Sequence, residues 1–236
     1  MPIDGALLEI EDLNAWYGES HVLHGISFEV REGETLSLIG RNGAGKTTTL
    51  RAILGIVRNR QGAIRFRGED LTAVPLHGIA RRGIGYVPEE RGIFASLTVA
   101  ENLVLPPVVK DGGMGEEEIY RLFPNLAERR ASQGTKLSGG EQQMLAIARI
   151  LRTGANVILL DEPTEGLAPV IVERIGEVLK LLKARGMTIV LVEQNFHFAR
   201  KLADRYVVVE HGRAIDCFGA SELDAKMSGL AEQLGV

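Results

Sequence analysis

A glycine-rich loop between an apolar segment and a helical segment constrains the fold of this chain most strongly. Residues 40–47 read Gly-Arg-Asn-Gly-Ala-Gly-Lys-Thr, which matches the pattern G-x-x-x-x-G-K-[ST]. The apolar segment 35–39 predicts a strand before it, and a helix is predicted to begin near Thr47. Glycines let the backbone close around phosphate oxygens, with N–H groups at the positive end of the helix. The sequence therefore predicts a strand–loop–helix unit that binds phosphate.

The lysine and threonine that close this loop have expected roles. Lys46 is expected to reach the β- and γ-phosphates of a nucleotide, and the Thr47 hydroxyl to ligate Mg²⁺. A glycine-rich turn that matches by chance is the alternative, and the strand and helix on either side disfavour it. The residues expected to bind the nucleotide here are Gly40, Asn42, Gly43, Ala44, Gly45, Lys46, Thr47 and Thr48.

Two carboxylates follow a second apolar strand, in the sequence Val-Ile-Leu-Leu-Asp-Glu at 157–162. Open parallel sheets present their ligand-binding groups at the carboxyl ends of the strands. Asp161 is therefore expected to hold the Mg²⁺ shell, and Glu162 to orient the water that attacks the γ-phosphate. The alternative is a solvated acidic turn, which the phosphate-binding loop upstream disfavours.

A third motif, Lys-Leu-Ser-Gly-Gly-Glu-Gln-Gln at 136–143, precedes a stretch with helical apolar periodicity. Ser138 and Glu141 have the spacing of a capping box, and this helix cap alone is one interpretation. The other is a cap that is also a second anion site, because a serine hydroxyl, two glycine amides and a helix N-terminus all favour an anion. The binding residues would then be Ser138, Gly139 and Gly140.

The order of strands and helices predicts an α/β fold with a mainly parallel sheet. Apolar and polar residues alternate through 7–30, which predicts strands with one solvated face. Strand-like runs vanish between about 90 and 153, which predicts a helical insertion. Without a long linker, 1–236 is expected to be a single domain. Other predicted strands are 63–66, 84–87, 157–160, 188–192 and 205–210, and predicted helices are 76–82, 170–185 and 196–202.

Composition excludes several classes of protein. The 27 Lys and Arg residues against 31 Asp and Glu give a net charge of −4, which disfavours nucleic-acid binding. The single Cys217 allows neither an intramolecular disulfide nor a multi-thiolate metal site. No apolar run approaches the roughly 20 residues that cross a bilayer, and the first residues lack the layout of a secretory signal. We therefore expect a cytoplasmic chain with no membrane span.

The three motifs in this order resemble the nucleotide-binding subunits of ABC transporters, from Leu7 to about Phe218. The resemblance implies a P-loop NTPase (RecA-like) core with an N-terminal antiparallel β subdomain and a helical insertion subdomain. It also implies ATP as ligand and a head-to-tail dimer, in which the 138–140 loop completes the partner's ATP site. Tyr17 resembles the aromatic residue that stacks on adenine, and a core aromatic is the alternative for this position.

Three positions depart from the broad family pattern. Glu89 stands where the family usually has a glutamine that touches Mg²⁺ and the attacking water, and a carboxylate can still ligate the metal. Gln194 replaces the usual switch histidine, so its amide would donate to the γ-phosphate without transferring a proton. Glu162 is then the stronger candidate for directing water. Ala168 replaces an aspartate that communicates across the dimer.

The residues at these three positions resemble those of a narrower group, the ATPases of importers for branched-chain amino acids and of related urea or short-chain amide importers. That resemblance implies a second ATPase subunit, two membrane permeases, a periplasmic binding protein and a peripheral place on the inner membrane. The alternatives are a soluble ABC ATPase without a permease and a hydrolytically weak regulatory subunit. The apolar stretch 94–107 is interpreted either as part of a permease-facing groove or as a core helix.

Overall fold

The strands of the protein form two sheets in a computed structural model that describes residues 5–226. The prediction that the chain begins without a secretory signal rests partly on residues 1–4, which lie outside the described residues. The strands are β1 (Ala6–Tyr17), β2 (Ser20–Arg31), β3 (Thr35–Ile39), β4 (Arg60–Phe66), β5 (Glu69–Asp70), β6 (Ile84–Val87), β7 (Val157–Asp161), β8 (Thr188–Glu193), β9 (Arg205–Glu210) and β10 (Arg213–Gly219). The α-helices are α1 (Lys46–Ile53), α2 (Leu76–Arg81), α3 (Val99–Val104), α4 (Glu116–Leu122), α5 (Pro124–Glu128), α6 (Gly139–Arg152), α7 (Pro169–Ala184) and α8 (Phe196–Arg200).

The smaller sheet is antiparallel and has the strand order β2-β1-β4-β5. β1 and β2 are each 12 residues long, and their pairing runs from Ala6 opposite Arg31 to Tyr17 opposite Ser20. The N-terminal antiparallel subdomain is thereby confirmed. β5 was not predicted, because two residues are too few to show an alternating pattern.

The larger sheet has the order β10-β9-β3-β8-β7-β6, in which β9, β3, β8, β7 and β6 are parallel and β10 is antiparallel. β3, β7 and β8 are buried at every position, as expected of strands covered on both faces. One face packs against α1 and the antiparallel sheet, and the other against α6 and α7. The predicted mainly parallel sheet is confirmed, whereas the half-exposed edge strand β10 was missed.

The segment between β6 and β7 contains only helices and turns among its named elements, which confirms the helical insertion. α6 is its longest helix, with 14 residues, and its buried face packs against α3, α4 and α5. Within 94–107, Val99 and Leu103 are buried while Phe94 and Leu105 are exposed. The core interpretation therefore holds for Val99 and Leu103, and the permease-facing interpretation stays a prediction.

The carboxyl ends of β3, β8 and β7 lie next to one another, because these strands are adjacent and parallel. They lead into the 40–47 loop, Gln194 and Glu162, so three separate motifs meet at one edge of the sheet. None of the helices in the described part of the chain has the length and apolar character needed to span a bilayer.

Candidate functional site

Glycines at both ends shape the 40–47 loop. Gly45 has a φ of 107°, a left-handed conformation that suits glycine, and it immediately precedes α1. A Cβ on Gly40 would lie 2.2 Å from the carbonyl oxygen of Val209, so only glycine fits against β9 there. The loop leads into the first turn of α1, where backbone N–H groups lack intrahelical partners. This cradle fits the phosphates of a nucleotide.

Lys46 lies almost fully buried between the loop and the acidic residues. Its Nζ donates to the carbonyl oxygens of Gly40 at 2.7 Å and Arg41 at 3.0 Å. The same nitrogen lies 3.9 Å from Glu162 Oε1. Burial lowers the pKa of Lys46, and the carboxylates of Glu162 and Asp161 oppose that effect. The ammonium group is thus at the position where phosphate binding was predicted.

Asp161 ends β7 as a fully buried carboxylate, and both of its oxygens accept hydrogen bonds. Oδ1 accepts from Thr47 Oγ1 at 2.8 Å, and Oδ2 accepts from the Tyr86 hydroxyl at 2.9 Å. Burial raises the pKa of Asp161, although both hydrogen bonds favour its charged form. Mg²⁺ prefers oxygen ligands, and this carboxylate and the Thr47 hydroxyl supply two beside the phosphate cradle. The residues present therefore fit a Mg²⁺ ion.

Glu162 and Gln194 lie in direct contact, although 32 positions separate them in the sequence. Gln194 Nε2 donates to Glu162 Oε2. Glu162 has a φ of 48°, an uncommon conformation for a residue other than glycine. Burial raises the pKa of Glu162 to about 7, whereas the amide of Gln194 and the ammonium of Lys46 favour its charged form. A carboxylate with this pKa is suited to accept a proton near neutral pH.

Glu193 holds together the two loops that carry Glu162 and Gln194. It is buried at the end of β8, and its Oε1 accepts from the Thr164 backbone N–H at 3.2 Å and from Thr164 Oγ1 at 2.7 Å. Its Oε2 accepts from the backbone N–H groups of Gln194 at 3.1 Å and Asn195 at 3.0 Å. Burial nevertheless raises the pKa of Glu193. This single side chain therefore bridges the turns after β7 and β8.

Glu89 lies among other carboxylates at the loop after β6. Burial raises the pKa of Glu89, and the neighbouring carboxylates of Glu165 and Asp161 raise it further. The next residue, Glu90, accepts from Arg51 Nη2 on α1 at 2.8 Å. Across residues 5–226, no three or more His, Cys, Asp or Glu side chains form a group that could hold a metal ion. The metal role predicted for Glu89 stays a prediction.

The loop at residues 138–140, called the Ser138 loop below, has the predicted capping box. Ser138 Oγ accepts from the Glu141 backbone N–H at 3.3 Å, and Glu141 Oε2 accepts from the Ser138 backbone N–H at 2.8 Å. A Cβ on Gly140 would lie 2.6 Å from Ile171 Cγ2, so the loop packs tightly on α7. Ser138 is exposed at the start of α6, in the insertion. Its anion-binding role stays a prediction.

Tyr17 lies at the end of β1 with 47% of its surface exposed. The interpretation of this residue as a core aromatic is therefore wrong. An exposed ring at the end of a strand is available to stack on a planar ligand, as the base-binding prediction requires.

Tyr86 and Glu193 are the site residues that the sequence did not reveal. Tyr86 lies on β6, which pairs with β7, and this neighbour relationship lets its hydroxyl reach Asp161. A polar tyrosine in an apolar strand and a glutamate directly before Gln194 were the available signals. Both acquire meaning only from the strand order, which the sequence alone did not give.

Comparison with known proteins places these residues in a family. The model of the family described as ABC transporter matches residues 23–165. The high-affinity branched-chain amino acid transport ATP-binding protein BraG of Pseudomonas aeruginosa is 43% identical, over 89% of this chain and 91% of that protein. The lipopolysaccharide export system ATP-binding protein LptB of Haemophilus influenzae is 36% identical, over 89% of each chain.

Solved structures agree with the fold. A nucleotide-free ATP-binding cassette from an ABC transporter aligns with a TM-score of 0.83 at 25% identity, covering 94% of this chain and 95% of that one. A dimeric ATP-binding cassette in a post-hydrolysis state, bound to ADP and Pi, aligns with a TM-score of 0.80 at 26% identity, over 90% and 98%. The predicted P-loop NTPase fold is thereby confirmed.

Proposed function

Because the chain belongs to the ABC transporter family and is an ATPase subunit that couples ATP hydrolysis to transport, we propose that it powers the uptake of branched-chain amino acids. The support for this substrate class is the 43% identity to BraG over most of both chains. Glu89, Ala168 and Gln194 also resemble the residues of this group of importer ATPases at the same positions, which supports the same substrate class.

We assign an ATPase site because separate motifs converge at one edge of the sheet. Thr47 contacts Asp161 at 2.8 Å across 114 positions of sequence, and Lys46 lies 3.9 Å from Glu162. A chance match to a glycine-rich loop would not bring a buried aspartate and a glutamate of raised pKa to the same place. The arrangement has the parts that phosphoryl transfer to water needs.

In this proposal Lys46 and the loop amides bind the β- and γ-phosphates, and Tyr17 stacks on adenine. Mg²⁺, held by Thr47 and Asp161 and contacted by Glu89, would neutralise charge on the phosphate oxygens. Glu162 orients water and accepts its proton as the water oxygen bonds to the γ-phosphorus and the bond to the bridging oxygen breaks. The products are ADP and phosphate.

Gln194 has two amide protons, and one of them is donated to Glu162. The second is available for the γ-phosphate, so this residue would hold the carboxylate and the substrate at once. Because an amide does not titrate, we assign the proton-accepting role to Glu162 alone.

ABC cassettes dimerise and work with membrane permeases. We propose that Ser138, Gly139 and Gly140 close the ATP site of a second ATPase subunit, which is either a copy of this chain or a different one. ATP-driven closure would act on two permeases, and hydrolysis would reset them. A periplasmic binding protein would deliver the substrate, and the chain would lie on the cytoplasmic side of the inner membrane.

The test is to tag the chain, extract it from membranes of its source cell in mild detergent, and identify the proteins that copurify. Recovery of two permeases and a second ATPase supports the proposal, and the complex is then assayed in proteoliposomes for ATP-dependent leucine uptake. Leucine uptake that stops when Lys46→Ala is introduced is the expected result. LptB is named for a lipopolysaccharide export system. Copurification with such a system would overturn the assignment of branched-chain amino acids as substrate and leave the assignment of ATPase activity intact.

A further inference from the structure

Arg91 follows Glu89 by two positions, and its side chain ends on the loop that contains Ser138. The guanidinium Nη1 donates to Gln142 Oε1 at 3.3 Å. A Cβ on Gly139 would lie only 3.2 Å from Arg91 Nη2 and 3.4 Å from its Cζ, so the guanidinium rests directly on the glycine. Arg91 itself has a φ of 64°, an uncommon conformation outside glycine.

Gln142 passes this contact on to the backbone that enters the Ser138 loop. Its Nε2 donates to the carbonyl oxygens of Gly134 at 3.2 Å and Leu137 at 3.3 Å. A glutamine amide has one oxygen acceptor and one nitrogen donor group, so the oxygen facing Arg91 keeps the nitrogen toward these two carbonyls. Arg91 therefore fixes the side chain that secures the residue immediately before Ser138.

A second arginine ties the same two segments together. Arg149, on α6, donates from Nη1 to the carbonyl oxygen of Gly92 at 2.6 Å, and its guanidinium lies 5.2 Å from the ring centroid of Phe94. The loop from Pro88 to Gly92, called the Glu89 loop below, is thus attached to α6 at two points. A displacement of this loop is transmitted to the start of α6 through contiguous contacts.

We propose that Arg91 is a positioning residue that couples the Glu89 loop, at the chain's own nucleotide, to the Ser138 loop, which faces the nucleotide of the partner subunit. The inference rests on the proposed function, because it takes these two loops to be halves of two different ATP sites. Nucleotide bound beside Glu89 shifts the loop, Arg91 follows, and the Gln142 amide tightens its hydrogen bonds to the carbonyl oxygens of Gly134 and Leu137 before Ser138. Each chain thereby adjusts its partner's ATP site to its own nucleotide state.

Hydrogen exchange on the full chain tests this coupling without a partner. The parent protein carries Glu162→Gln to prevent turnover and is kept at a concentration where ultracentrifugation shows a monomer. Exchange is followed with and without Mg-ATP in peptides covering 40–47 and 134–142. The second peptide contains hydrogen-bonded amides, including those of Lys136, Leu137 and Gln142, that report on the loop.

In the parent, ATP is expected to slow exchange in both peptides, with a change of about threefold or more at 134–142. Arg91→Met is expected to keep the response at 40–47 and lose the response at 134–142. Gln142→Met removes the acceptor instead and is expected to give the same loss. Arg152→Met, at the other end of α6, is the matched control and keeps both responses. Circular dichroism confirms that each variant is folded.

Two results would overturn the coupling role of Arg91: no response at 134–142 in the parent, or an undiminished response there in Arg91→Met. An absent response at 40–47 in the parent contradicts nucleotide binding itself and so overturns the proposed function. The two failures are therefore separated by which peptide responds.

Discussion

The hydroxyl of Tyr86 donates to Oδ2 of Asp161 at 2.9 Å, while Thr47 donates to Oδ1. Two hydrogen bonds on opposite oxygens fix the rotation of the carboxylate about its bond to Cβ. Burial of Asp161 in the sheet leaves few other partners to do so. Tyr86 therefore orients the proposed metal ligand without belonging to the 40–47 loop or to the 157–162 motif.

Tyr86→Phe is expected to lower kcat about tenfold, since one oriented hydrogen bond to a charged group contributes about 1.5 kcal/mol. ATP binding to the phosphate loop should change little, because Tyr86 contacts Asp161 and not the loop. Steady-state ATPase assays and equilibrium dialysis measure the two effects. Tyr120→Phe is the control, because the Tyr120 hydroxyl is buried without a hydrogen-bond partner and lies in the insertion. Equal activity losses in the two variants would contradict the orienting role.

Lys46→Ala is expected to weaken ATP binding by about 10- to 100-fold, equivalent to about 1.5–3 kcal/mol for charge-assisted hydrogen bonds to phosphate. The buried ammonium already lies within the loop, so its loss removes the only side-chain cation that we assign to the phosphates. Equilibrium dialysis with radiolabelled ATP gives the affinity, and Lys180→Ala on the exposed side of α7 serves as control. Unchanged affinity in Lys46→Ala would refute the phosphate-loop assignment.

The sequence carried enough information to place most of this site. The 40–47 pattern and the apolar strand before Asp161 each predict a local structure with a known chemical use, and both local structures are confirmed. The contact between Gln194 and Glu162 was beyond reach, because it depends on β7 and β8 being neighbours and on Glu193 bridging their turns. The order of the strands in the sheet determines such contacts, and no local sequence pattern encodes that order.

Arg91 shows the same limit more sharply. In the sequence it is one charged residue in a polar loop, with no spacing that marks it. Its importance comes from a glycine that leaves room for the guanidinium and from a glutamine whose amide orientation it sets. Each of these is 48 or more positions away in the chain, so only the packing of α6 reveals the relationship.

Glu162→Gln is expected to lower ATP turnover by about 10²–10⁴-fold while leaving ATP affinity within a factor of about two, because the amide keeps the shape of the side chain and cannot accept the proton. Single-turnover hydrolysis and dialysis on the same sample separate these quantities. Glu173→Gln, at an exposed position on α7, is the matched control and should retain most of the activity. Near-normal turnover in Glu162→Gln would remove this residue from the proposed mechanism.

The same substitution is expected to change how stability depends on pH in the absence of nucleotide. Burial raises the pKa of Glu162 from 4.5 to about 7 on folding, so the folded chain binds this proton more tightly than the unfolded chain. Its contribution to stability is therefore complete below pH 4.5 and is lost as the pH rises through 7. Glutamine has no charge to desolvate, so Glu162→Gln should be more stable than the parent at pH 8 and close to it at pH 5.

The expected gain at pH 8 is about 1–2 kcal/mol, smaller than the pKa difference alone implies, because the carboxylate is partly hydrated. Urea unfolding at pH 5 and pH 8, in EDTA and without ATP, measures the free energy of unfolding at each pH. Glu173→Gln, at an exposed position on α7, is the matched control and should show no such pH-dependent gain. A stability difference between Glu162→Gln and the parent that is equal at both pH values would mean that burial of the charge is not its cause.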